Sequence, residues 1–74
     1  MQAVTKNDLS VGMTVYDRQA RFFDFDYHPQ VIVELSEESI KVFEEGYFSK
    51  GKHFDIPISR LYFETVGGKQ IVIH

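Results

Sequence analysis

Two adjacent glycines between two strand-like runs constrain this chain more than any other feature. Residues 62–66 (Tyr-Phe-Glu-Thr-Val) and 69–73 (Lys-Gln-Ile-Val-Ile) flank Gly67-Gly68. Glycine supplies the positive φ angles of a two-residue type I′ or II′ turn, so the segment reads as a tight antiparallel hairpin. The register this implies sets Val66 against Lys69, Glu64 against Ile71 and Tyr62 against Ile73 on one face. Thr65 opposes Gln70 and Phe63 opposes Val72 on the other. Both faces are partly apolar, which a hairpin lying on a surface does not need. The segment is therefore expected to be buried on both sides or used in an interface. A lone edge of Ile71-Val72-Ile73 would invite pairing. Either the sheet closes over it or a symmetric second copy does, giving a homodimer through the C-terminal strand.

Apolar residues elsewhere also recur with a period of two, the signature of strands. Residues 13–18 place Met13 and Val15 on one face. Residues 21–27 place Phe23, Phe25 and Tyr27 opposite Phe22, Asp24 and Asp26. His28-Pro29 is expected to end or bend that strand, since proline donates no ladder hydrogen bond. Val31, Val33 and Leu35 then alternate with Ile32 and Glu34. The polar turn Ser36-Glu37-Glu38-Ser39 precedes a return strand, Ile40-Lys41-Val42-Phe43. A short helix over 36–45, capped by Ser36, is the alternative there and would make the class α+β. Phe54-Asp55-Ile56 alternates again, with Pro57 at an edge or just after the strand. Ile58-Ser59-Arg60-Leu61 has the length of a single 3₁₀ turn. The expected core is Leu9, Val15, Phe23, Phe25, Val31, Val33, Ile40, Val42, Phe54, Ile56, Leu61, Phe63 and Val72.

Composition narrows the classes further. With 74 residues the chain is one small domain, 1–74, too short for a Rossmann sheet, a TIM barrel or a two-domain enzyme. It has no cysteine, so disulfides and thiolate zinc sites are excluded, and seven Phe and four Tyr supply the large apolar surfaces a small core needs. The first residues hold no apolar run of a secretory signal, and no window approaches the ~18 apolar residues of a membrane span. A cytoplasmic location is the resulting expectation.

Leu9-Ser10-Val11-Gly12-Met13-Thr14-Val15-Tyr16 resembles the opening of SH3-like barrels of the Tudor, KOW and SH3 type, where a leucine, a turn glycine and a strand valine recur. Ile56-Pro57-Ile58-Ser59-Arg60-Leu61 looks like the junction before the final strand of the same barrels. The paired tryptophans of signalling SH3 domains are missing, as there is no Trp in the chain. The resemblance implies a fold and no particular family. Together with the periodicity it gives an all-β expectation. The fold is a small SH3-like barrel or a strongly bent antiparallel sheet of five or six strands, with a short 3₁₀ turn before the last hairpin.

Three constellations carry candidate chemistry. Asp24, Asp26 and His28 share a strand face by their i, i+2, i+4 spacing and are the one metal candidate, suited to Mn, Fe(II) or Zn; the plainer reading is a solvated strand face. Tyr47, Phe48, Lys50, Lys52 and His53, with Phe54, interleave aromatics and bases as a nucleic-acid loop would, stacking bases while lysines follow phosphates. The formal charge of -3 and the neighbouring glutamates oppose that reading, because charge neutralisation supplies most non-specific affinity. The stretch from Glu34 to Glu45 holds five Glu and one Lys. Glu37, Glu38, Glu44 and Glu45 could steer a basic protein partner, with Phe22, Tyr47 and Phe48 as aromatic anchors. No Gly-x-Ser-x-Gly elbow and no phosphate-binding glycine loop is present, so no catalytic residue and no cofactor is expected. The sequence reads as a non-enzymatic binding module for a protein partner, with nucleic acid as the alternative and no membrane association.

Overall fold

The computed structural model describes residues 2–18, 27–44 and 51–74. Within them the chain is all-β. Seven strands form one sheet: β1 (Gln2–Ala3), β2 (Thr14–Asp17), β3 (His28–Leu35), β4 (Ser39–Glu44), β5 (Lys52–Pro57), β6 (Tyr62–Val66) and β7 (Lys69–Ile73). Two 3₁₀ turns, Lys6–Asp8 and Ile58–Arg60, complete the regular structure, the second falling before the last hairpin as expected. The strand order is β1-β6-β7-β2-β3-β4-β5, and the sheet does not close into a barrel. Every pairing is antiparallel except β2 with β7, where Tyr16 lies parallel to Ile73. Residues 39–44 are strand, not helix.

The connection from β5 to β6 requires the sheet to be strongly bent. These strands stand five places apart, a span of roughly 24 Å in a flat sheet at about 4.8 Å per strand. Only residues 58–61 join them, three in a 3₁₀ turn. With a rise of about 2 Å per 3₁₀ residue and about 3.3 Å per extended one, they reach roughly 13 Å. The sheet must curl to bring its β5 side back towards β6.

The core fills the inside of that curl. Val15, Ile32, Ile40, Val42, Ile56 and Val72 come from the strands, Val4 and Leu9 from the N-terminal segment, and Ile58 and Leu61 from the 3₁₀ connection. Met13, Leu35 and Phe63 pack against them. The hairpin has the register its glycines imply, from Val66 opposite Lys69 to Tyr62 opposite Ile73. Gly67 and Gly68 have φ of 58° and 81°, both in the region that favours glycine, as a type I′ turn demands. Val72 enters the core on one face. Ile73 is fully buried on the other, with Tyr62 and Tyr16 as its ladder partners.

Three expected core positions are corrected. Val31 (40% exposed) and Val33 (42%) face outwards, and Ile32 (0%) takes the inward position between them. A bulge between Ile32 and Glu34 explains the reversal: Val33 is the extra residue, and it lets Gln30, Ile32 and then Leu35 turn inwards although their spacing breaks the period of two. Phe54 (40% exposed) lies on the inner side opposite Val42, at the open end of the curl rather than inside it. Pro29 lies within β3 opposite Tyr16, and the expected strand over 21–27 that it was to end or bend lies, but for Tyr27, outside the described residues. The Ile32 N–H donates to Met13 O (2.9 Å), so even-numbered residues of β3 bond β2 and the Pro29 nitrogen faces away from it. No β2 ladder bond is lost. Phe23 and Phe25 lie outside the described residues.

Candidate functional site

At one end of the curl the inner face changes from apolar to polar. Val15 is in register with Gln30, and Asp17, two residues on, with His28. The parallel β2–β7 ladder continues past Ile73, with His74 N–H donating to Tyr16 O (3.0 Å) and Arg18 N–H to His74 O (3.2 Å). Asp17, His28 and His74 therefore point inwards together, over Gln30 and Glu44.

These side chains form one directed chain of hydrogen bonds. Gln30 is 2% exposed, the one buried polar residue among those described. Its Nε2 donates to Glu44 Oε2 (3.2 Å). A carboxylate only accepts, so the amide orientation is settled, and Gln30 Oε1 must face His74 Nε2 at 2.6 Å. An amide oxygen also only accepts, so His74 carries its proton on Nε2. The other Glu44 oxygen, Oε1, lies 2.9 Å from His28 Nε2. A cleft of about 210 Å³ opens beside this chain, lined by Asp17, Gln30, Glu44, Arg60, His74 and the β5 residues Phe54, Asp55 and Ile56. Among the described residues no three His, Cys, Asp or Glu side chains gather in a metal-binding group.

Burial holds the His74 imidazole below its ordinary value of 6.5, and the carboxylates of Asp17 and Glu44 oppose that shift without cancelling it. A lowered histidine pKa means the unfolded chain takes up the proton first. The stabilisation from neutral His74 is present above about pH 6.5 and is lost as pH falls through the folded value. The His74 ring resonances should thus titrate with a midpoint below 6.5. The fall in urea midpoint between about pH 7.5 and about pH 5.5 should shrink in H74N. A His74 midpoint above 6.5 would contradict the burial.

The structure divides the acidic stretch. Glu37 and Glu38 are exposed in the β3–β4 turn, Glu37 paired with Lys6 Nζ (2.5 Å). Glu44 instead turns inwards to Gln30 and His28, and so belongs to the polar end rather than to an acidic surface. The aromatic and basic segment is divided as well. Lys52 and Phe54 share the inner side with Glu44 and Val42, while His53 lies outside against Phe43, with ring centroids 5.2 Å apart. His28 is held by Glu44. Phe22, Asp24, Asp26, Glu45, Tyr47, Phe48 and Lys50 lie outside the described residues.

The outer face carries Val31 and Val33, two of the residues expected in the core. Val31 stands between Thr14 and Phe43 in the ladder, with Val33 and Glu34 next along β3 and His53 beyond Phe43. Glu34 Oε2 lies 3.5 Å from Lys41 Nζ. The outcome is an exposed apolar strip ending at the acidic β3–β4 turn. β7 offers no comparable surface at its C-terminal end, where it is bonded to β6 on one side and β2 on the other.

Fold and surface together define the class: an all-β domain on one strongly bent mixed sheet, with a polar inner end and an apolar strip outside. Comparison with known proteins returns no matching family model, no matching curated protein and no matching solved structure.

Proposed function

We propose that this chain is a small binding module that recognises another protein through the outer face of β3 and β4. The observation that carries this reading is the exposure of Val31 (40%) and Val33 (42%) on that face, beside the half-buried Phe43. Apolar side chains grouped on a solvated sheet face mark a contact surface more often than scattered ones do. Glu34, Glu37 and Glu38 lie exposed at one end of the strip. The matching partner segment presents an apolar residue to the valines and a lysine or arginine to the turn. Its association is steered by charge and weakened by salt.

A labelled sample titrated with a short peptide of two aliphatic residues flanked by arginines tests this. Amide shifts centred on Val31, Val33 and Glu34, lost in V33D and reduced at high salt, are the expected result. No shifts with the peptide, together with salt-sensitive shifts at Lys52–Phe54 on adding oligonucleotides, would replace protein recognition by nucleic-acid binding.

A further inference from the structure

We infer that β5 is a self-complementary edge, built to pair antiparallel with β5 of a second copy about a two-fold axis at Phe54. All six of its residues pair with β4 on one side, and among the described residues none pairs with it on the other. Ile58 N–H donates to Glu38 O (2.9 Å) on the β4 side. The unbroken register from Lys52 to Pro57 then turns the N–H and C=O groups of Phe54 and Ile56 towards β4. Those of His53 and Asp55 face outwards. Pro57, whose outward position has no N–H to offer, ends the usable edge.

Only a few registers bring two such edges together, and side-chain chemistry selects one. With the axis at Phe54, His53 lies opposite the partner's Asp55 and Asp55 opposite the partner's His53. The outward backbone groups of these residues then form two doubly hydrogen-bonded pairs. The imidazole N–H groups meet carboxylates on the outer face, and the two Phe54 rings meet on the inner side. His53, Phe54 and Asp55 are all exposed in the single chain, so each is available for this contact. An axis at His53 would set like residues of basic character against each other. An axis at Asp55 would oppose two carboxylates and require a donor from Pro57. Charge complementarity therefore favours a second copy in the Phe54 register as occupant of this edge. The contact is short, well below the area of a standard stable interface, so the dimer is weak and concentration-dependent.

The chain has no cysteine, which permits a register test with single thiols. F54C, H53C and D55C are oxidised at high protein concentration. F54C is expected to cross-link several-fold faster, because only the residue on the axis faces itself at a distance a disulfide can span. Sedimentation then compares H53D, D55H and their mixture. Each variant alone juxtaposes like groups and should run as a monomer. Mixed, both cross-strand pairs are again complementary, and mass-doubled species should return. That recovery also shows that both variants are folded. Equal cross-linking at the three positions, or a monomer at every concentration in wild type and mixture alike, would overturn the inference.

Discussion

Ile32→Ala is expected to destabilise the domain by about 3 kcal/mol, while Val31→Ala and Val33→Ala each change it by about 0.5 kcal/mol or less. The three residues are consecutive and similar in size, so the contrast comes from the facing alone. Ile32 is fully buried among Val15, Val42 and Ile40, and truncating it leaves a cavity the bent sheet cannot fill. Val31 and Val33 already meet water. A chain of 74 residues has a total stability of about 4–11 kcal/mol at typical values per residue, so the Ile32 change removes a large share. Urea midpoints of the three variants measure this directly. A V31A or V33A loss as large as that of I32A would restore the register that simple alternation suggests.

The second large effect is expected at Gln30. Gln30→Leu keeps the volume and opens little cavity. It removes the acceptor for His74 Nε2 and the donor to Glu44 Oε2 together. Both partners remain half-buried without replacement, a loss of roughly 2 kcal/mol. Thermal unfolding of Q30L should therefore fall by about 10 °C for a domain this small. A neutral or stabilised Q30L would mean that the polar chain contributes nothing net to the fold.

The parts of this fold that were legible in sequence are those set by local chemistry. Gly67-Gly68 determined the hairpin and its register because only glycine suits two successive positive φ angles. Pro57 and the run to Leu61 marked a strand end and a 3₁₀ turn for similarly local reasons. The facing of β3 was not legible. Three apolar residues alternate on one side, Val31, Val33 and Leu35, against Ile32 alone on the other, and no glycine announces the bulge at Val33 that reverses them. A buried Gln30 adds to the disguise, since polar side chains at inward positions break the pattern that reveals a face. The polar end of the core was invisible for a different reason. Its members come from β2, β3 and β4 and from His74, and the bond between Gln30 and His74 spans 44 positions of sequence. Nothing in either neighbourhood signals the other. The acidic stretch was legible as charge but not as surface, because strand pairing turns Glu44 inwards and leaves Glu37 and Glu38 outside.

Val31 and Val33 face outwards while Ile32 lies inside, and the proposed partner covers the two valines. Methyl resonances recorded with a soluble paramagnetic chelate, before and after adding the arginine-flanked peptide, test this most directly. Strong broadening of the Val31 and Val33 methyls, none at Ile32 and Val42, and recovery of the valine signals once the peptide covers them are the expected result. Broadening at Ile32 with the two valines protected, or valine broadening that the peptide leaves unchanged, would contradict it.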